Sequence, residues 1–166
     1  SLCEGAANKG SIPAMLHIGE YYLSHDTKTS HQSAFHWFTT AASYRSAKAE
    51  YYLGQMTRDG LANPQDNYTA LYWFERAASK GYKQAYFPTA THYFHAPKDP
   101  ETGFLSATNL AKAYLWLSAS KKTVLTEAQK DLAQSMLNEV LTVMPKSWIT
   151  DLNEKVNIHL DKFPPL

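Results

Sequence analysis

The chain has 166 residues, of which 44% are hydrophobic and 13% aromatic, so it can bury a core and is not disordered by composition. Its formal net charge is +1, from 16 basic and 15 acidic residues, which gives no electrostatic basis for binding nucleic acid or an anionic membrane. The single cysteine, Cys3, excludes an intramolecular disulfide within these residues, and no apolar run reaches the ~20 residues of a membrane span.

A helical pattern recurs along the chain, beginning with "AANKG", which ends at Gly10 and has the composition of a helix end. The first residues are therefore predicted to be the last turns of a repeat. Three later segments share one pattern. Each has a small residue, then an aliphatic residue or Thr four positions later, and then Gly or Ala at the next position. The four-residue spacing places the first two on one helical face, and the Gly or Ala lets a second helix approach closely. These positions are Ala14, Ile18 and Gly19; Ala49, Leu53 and Gly54; and Ala85, Thr89 and Ala90.

A second helix is predicted after each of these, because "AFHWFTTAAS" from Ala34 returns as "ALYWFERAAS" from Ala70. Such a fixed interval is typical of repeat proteins. Trp37, Trp73 and Trp116 share one register, which predicts packing in the core or between repeats. The predicted N-caps of these helices are Ser30, Asp66 and Asn109. After the helix that contains Trp37, Arg45 is the residue predicted to take the left-handed backbone conformation. After the helix that contains Trp73, it is Gly81.

The repeats are predicted to stop after Ser120. A helix with Thr126 as N-cap follows, Pro145 ends it, and a shorter helix completes the chain. The sequence thus predicts an all-α fold, an α/α superhelix or solenoid of helix-turn-helix repeats with C-terminal capping helices. The predicted array covers 1–120, with a partial repeat at 1–13 and repeats at about 14–48, 49–84 and 85–120, and the capping helices cover 121–166.

The pattern A-x3-[LI]-G, a polar cap, A-x2-W-[FY] and A-A-x2-G resembles the Sel-one-like repeat, a relative of the tetratricopeptide repeat. The copy at 49–81 carries most of it, whereas His25 replaces the loop glycine in the first copy. The resemblance implies a bacterial, non-enzymatic scaffold or adaptor that binds a protein or peptide partner. Bacterial relatives assist envelope assemblies, secretion or host interaction, and eukaryotic ones serve in membrane-protein quality control. The resemblance therefore favours the bacterial periplasm or cell envelope, with the cytoplasm as the alternative.

The resemblance also implies a binding surface, since the first helix of each pair lines the concave face of a tetratricopeptide-like stack. Side chains that vary between copies on a constant frame are the expected partner contacts. Tyr51, Tyr52 and Arg58 are its predicted centre, because Tyr and Arg dominate many interfaces. The predicted partner-binding residues are Leu16, His17, Glu20, Tyr51, Tyr52, Gln55, Arg58, Asp59, Phe87, Thr91 and His95.

The alternative interpretation is a metal-dependent enzyme or regulator that uses histidines of this groove. His92 and His95 are three positions apart on a predicted helix, but a zinc site needs a third and usually a fourth ligand. The nearest carboxylate, Asp99, lies in a proline-bounded loop. No histidine near Cys3 could activate its thiol, and no G-x-S-x-G or phosphate-loop motif is present. The sequence therefore predicts no catalytic residue, metal or cofactor.

Overall fold

The structure is a computed structural model that describes residues 2–164. The described residues form only helices, turns and loops, which confirms the predicted all-α repeat fold. Ser1, Pro165 and Leu166, which fall in the first and last predicted segments, lie outside the described residues. The helices are α1 Leu2–Asn8, α2 Ile12–Leu23, α3 Lys28–Ser43, α4 Ala47–Asp59, α5 Asn67–Ser79, α6 Tyr86–Phe94, α7 Ala107–Ser120, α8 Glu127–Val143 and α9 Ile149–Lys162, with short 3₁₀ turns at Lys83–Ala85 and Lys146–Trp148.

The helices form two compact units, Ser1–Tyr82 and Lys83–Leu166. In the first unit, α1 packs against α2, α2 against α3, α3 against α4, and α4 against α5. In the second unit, α6 packs against α7, and α7 packs against both α8 and α9. Helix α8 begins after its predicted cap, Thr126, and α9 follows the predicted break at Pro145. Helices α8 and α9 both fall within the predicted capping segment, and both pack against α7.

The repeated glycines of the first unit are explained by helix–helix packing. A Cβ atom on Gly19 would lie 2.6 Å from Phe38 Cε1, and one on Gly54 would lie 2.6 Å from Phe74 Cδ1. Both phenylalanine rings are completely buried. Each glycine therefore makes room for the aromatic ring that the next helix inserts, and this packing holds the two helices of a repeat together.

The three tryptophans predicted to pack in the core or between repeats differ in burial. Trp116 is buried, as predicted, whereas Trp37 and Trp73 are half-buried and lie against the edge of the core. The completely buried ring of each of these two repeats belongs to the next residue, Phe38 or Phe74. On a helix, adjacent side chains point about 100° apart, so only one of the two can face the partner helix squarely.

The helix starts also differ in part from the prediction. Asp66 caps α5 as predicted, and its carboxylate accepts hydrogen bonds from two backbone N–H groups of the first turn. The caps predicted at Ser30 and Asn109 are wrong, because α3 and α7 begin almost a turn earlier. Thr27 and Ser106 cap them instead, and their side-chain oxygens accept hydrogen bonds from the backbone N–H groups of Ser30 and Asn109.

The predicted left-handed residues follow α1, α3 and α5, where Gly10, Arg45 and Gly81 have φ angles of 91°, 65° and 84°. Arg45 carries a Cβ atom in a conformation that costs a non-glycine residue about 1–2 kcal/mol. Its substitution by glycine also raises the entropy of the unfolded chain, which offsets part of that gain.

We therefore expect Arg45→Gly to raise the free energy of unfolding by about 0.5–1 kcal/mol and the melting temperature by roughly 1–4 °C. Gly81→Ala is the reciprocal control and should lower both quantities, because it introduces a Cβ atom at φ 84°. Thermal denaturation followed by circular dichroism measures both variants. A melting temperature of Arg45→Gly at or below that of the wild type would contradict the assigned strain.

Candidate functional site

Side chains of α2 and α4 meet at Glu20. Its carboxylate oxygen Oε1 accepts a hydrogen bond of 2.9 Å from the Tyr52 hydroxyl and forms an ion pair of 2.5 Å with Lys48 Nζ. Burial alone would raise the pKa of Glu20, but the hydrogen bonds from Lys48 and Tyr52 outweigh it and lower the pKa. Burial and the contact with Glu20 both raise the pKa of Tyr52. The Tyr52 ring also stacks on Phe38 at 4.5 Å, so this tyrosine faces the preceding repeat.

Tyr51 faces the opposite side, toward the end of the first unit. Its ring centroid lies 5.2 Å from that of Tyr82 and 6.0 Å from that of Phe74, and its hydroxyl accepts a hydrogen bond of 2.9 Å from Gln55 Nε2. Burial raises the pKa of Tyr51, against the lowering effect of Arg58. Burial, together with Tyr51 and Glu20, raises the pKa of Tyr82 to about 12. Both phenols therefore stay protonated near neutral pH and can donate hydrogen bonds.

Arg58 lies on the same surface, where it forms an ion pair with Asp59. Its Nε and Nη2 atoms donate to the two carboxylate oxygens of Asp59 at 2.7 Å and 2.9 Å, a two-point contact. The guanidinium also lies over the Phe74 ring, 5.9 Å from the centroid. This hydrogen bond to Asp59 raises the pKa of Arg58 despite the opposing effect of burial. We call the group formed by Glu20, Lys48, Tyr51, Tyr52, Gln55, Arg58, Asp59 and Tyr82 the tyrosine face.

Most of the predicted binding residues of the first unit thus lie together. Glu20 contacts Tyr52, and Gln55 contacts Tyr51. His17 is exposed on α2, one turn before Glu20, and Leu16 is half-buried against the core. Phe87, Thr91 and His95 lie in the second unit, at α6 and its C-terminus, where Phe87 and Thr91 are half-buried and His95 is exposed.

Sequence reasoning missed two members of the tyrosine face, Lys48 and Tyr82. Tyr82 directly follows the left-handed Gly81, which turns the chain back so that its ring meets Tyr51. Lys48 lies four positions before Tyr52 on α4, a spacing that places two side chains on one helical face. That spacing was a readable signal, whereas the position of Tyr82 depends on how the chain leaves α5.

A completely buried carboxylate, Glu50, was also missed. Its Oε1 atom accepts from Arg76 Nε at 3.0 Å and from Lys80 Nζ at 2.6 Å, which ties α4 to the last turns of α5. Its Oε2 atom has no hydrogen-bond partner among the described residues. Glu50 shares a helical face with the buried Leu53 and Gly54, three and four positions further on, and this spacing could have revealed it.

The histidines singled out for a metal are bound to the backbone of α6. His92 Nδ1 donates to the Pro88 carbonyl at 2.8 Å, and His95 Nδ1 donates to the Thr91 carbonyl at 2.9 Å. Within residues 2–164, no group of three or more His, Cys, Asp or Glu side chains could hold a metal ion. In the same range, no helix combines the length and the apolar character required to cross a bilayer.

These features define a helical-repeat protein with a tyrosine-rich surface at α2 and α4, the first helices of two neighbouring repeats. The profile of the Sel1 repeat matches residues 12–43 and 47–82, so these two stretches are Sel1-like repeats. Sel1 repeats generally mediate protein interactions. No curated protein sequence matches the chain.

Two solved structures share the fold. The first is c5321, described as a protective antigen of uropathogenic Escherichia coli strains displaying an SLR fold, with a TM-score of 0.72 and 18% identity over 98% of this chain and 32% of that chain. The second is a Sel1 repeat protein from Oxalobacter formigenes, with a TM-score of 0.53 and 23% identity over 89% of this chain and 65% of that chain. The chain therefore spans about a third of the length of c5321. At these identities the likeness concerns the fold alone.

Proposed function

We propose that this chain is a non-enzymatic interaction module that binds a protein or peptide partner on the tyrosine face. The general role of Sel1 repeats in protein interactions supports this class of function. The particular surface is supported by the contacts of α2 and α4, whose side chains form one continuous network of aromatic and polar groups.

The observation that carries the proposal is the unused hydrogen-bonding capacity of two packed tyrosines. The Tyr51 hydroxyl accepts from Gln55, and its own proton has no acceptor among the described residues. The Tyr82 hydroxyl likewise has no hydrogen bond within residues 2–164, although its ring is packed against Tyr51. Rings that are held in place lose little entropy on binding, so their hydroxyls are preorganised donors for a partner.

The charges on this surface are already paired, which indicates the chemistry of the partner. Arg58 is bound to Asp59, and Lys48 is bound to Glu20. A strongly charged partner would have to break these ion pairs, whereas an extended peptide offers apolar area and backbone carbonyl acceptors. The predicted partner is therefore an uncharged peptide stretch.

The test selects peptides from a random phage-displayed library on the immobilised chain and measures their affinity for variants. We expect Tyr51→Phe combined with Tyr82→Phe to weaken selected peptides roughly 5- to 30-fold, since each lost hydrogen bond is worth about 1 kcal/mol. The rings remain, so the fold is retained. Tyr52 is left intact because its ring packs against Phe38.

Tyr44→Phe combined with Tyr68→Phe is the matched control, because it removes two hydroxyls from exposed tyrosines outside the tyrosine face. This control should bind the selected peptides with wild-type affinity. Unchanged affinity of the Tyr51/Tyr82 variant, with or without a loss in the control, would refute the tyrosine face as the binding site.

A further inference from the structure

The second unit contains a pocket of about 110 Å³ that the Sel1 match at 12–43 and 47–82 does not include. Its walls are the end of α6, the helices α7 and α8, and the long loop at 95–106. An apolar cavity of ~150 Å³ holds a benzene ring, so this smaller pocket, which is open to solvent, can take one aliphatic side chain or part of an aromatic ring. Its apolar lining consists of Phe94, Phe104, Leu105, Leu110, Val140 and Val143.

The loop that forms one wall is held in a defined conformation by Asp99. The Asp99 carboxylate accepts hydrogen bonds from the backbone N–H groups of Glu101 and Thr102 at 2.9 Å and 2.8 Å. These bonds, the Thr102 contact foremost, lower the pKa of Asp99. The Asp99 N–H donates to the Phe104 carbonyl at 2.8 Å, which closes the turn. The loop therefore presents Phe104 to the pocket without having to order on binding.

Apolar groups at this pocket remain accessible to water. Phe104 is 56% exposed although its backbone is fixed, and Val143 at the end of α8 is also exposed. Burial of such apolar surface by a partner is favourable because it removes that surface from water. The pocket thus offers an anchor point for a large apolar side chain.

Two opposite charges line the same pocket. Lys98 lies in the loop and Glu139 lies on α8, and both side chains are exposed. Neither forms an ion pair or a side-chain hydrogen bond among residues 2–164. Each is therefore available to a group of the opposite charge on a partner.

We propose that this pocket binds one large apolar side chain of a peptide segment that carries an acidic residue on one side and a basic residue on the other. The acidic group pairs with Lys98 and the basic group pairs with Glu139. This site lies in the second unit and shares no residue with the tyrosine face. Its test is therefore independent of the function proposed above.

The probes are blocked pentapeptides titrated into methyl-labelled protein, with the methyl resonances of Leu105, Leu110, Val140 and Val143 as readout. The mixed-charge probes are Asp-Ala-Phe-Ala-Lys and Lys-Ala-Phe-Ala-Asp, because a peptide can run in either direction. The expected result is a saturable shift of these methyls with at least one mixed-charge probe. The same probe with alanine at its centre should bind at least tenfold more weakly, since it lacks the apolar anchor.

Variants of the protein test each wall of the site. Phe104→Ala keeps the backbone turn and should weaken the mixed-charge probe about tenfold, whereas Ile158→Ala, at the comparably exposed Ile158 (61%) of α9, should leave it unchanged. Lys98→Glu should bind a probe with two lysines about three- to fivefold better than the mixed-charge probe. Glu139→Lys should show the same preference for a probe with two aspartates.

Three results would overturn the proposal. The first is the absence of methyl shifts with both mixed-charge probes. The second is that the Lys98→Glu variant and the Glu139→Lys variant each bind all probes with the same affinity, whatever the charges of the probe. The third is a shift of the same methyls with protein concentration alone, which would assign the pocket to a second copy of the chain.

Discussion

Phe74→Ala should lower the free energy of unfolding by about 3–5 kcal/mol, the usual cost of removing a buried aromatic side chain. Phe74 is completely buried, and its ring fills the space that Gly54 leaves open between α4 and α5. Its loss leaves a cavity that glycine cannot fill. Urea denaturation followed by circular dichroism measures the change.

The neighbouring Trp73→Ala should cost clearly less, although tryptophan is the larger residue, because Trp73 is only half-buried. Tyr68→Ala on the same helix is the control for a lost aromatic ring at an exposed position and should change the stability by less than about 0.5 kcal/mol. A larger effect for Trp73→Ala than for Phe74→Ala would show that the tryptophan, and not the phenylalanine, holds α5 to α4.

The second large effect concerns the buried charge of Glu50. The double variant Arg76→Met with Lys80→Met should lower the free energy of unfolding by about 3–5 kcal/mol, because it leaves a buried carboxylate without a cation. Methionine keeps much of the length and the apolar stem of both side chains, so the change acts mainly through charge. Chemical denaturation at neutral pH measures it.

Adding Glu50→Met to this double variant should restore most of the lost stability, since apolar residues of similar volume often replace a buried ion pair without loss. Arg76 and Lys80 are partly exposed, so Glu50→Met alone, which leaves two solvated cations, should cost less than the double variant. A triple variant no more stable than the double variant would indicate that packing, and not the unpaired carboxylate, causes the loss.

Helix positions and the repeat could be predicted because helical geometry is local. The spacing of Ala49, Leu53 and Gly54 is enough to assign a buried helical face, and the alignment of Arg45 with Gly81 predicts its left-handed conformation. The caps at Ser30 and Asn109 were misplaced because Ser, Thr and Asn within one turn satisfy the same rule. Which of these residues becomes the N-cap depends on where the preceding loop changes to helical backbone.

Part of the tyrosine face followed from the same local rules. Tyr51 and Gln55 are four positions apart on α4, and their hydrogen bond follows from that spacing. Adjacent side chains on a helix point about 100° apart, so Tyr51 and Tyr52 face different directions. The spacing did not specify which ring would meet Phe38 and which would meet Tyr82.

The sequence by itself determined the class of fold, the repeat period and most helix ends, since these depend on residues within a few positions of one another. Only the tertiary structure decided that Phe74 fills the gap at Gly54, that Arg76 and Lys80 neutralise Glu50, and that Tyr82 packs on Tyr51. These contacts join different elements across 20 or more positions of the chain. Such contacts depend on the angle and distance between packed helices, which the spacing of residues along one helix does not encode.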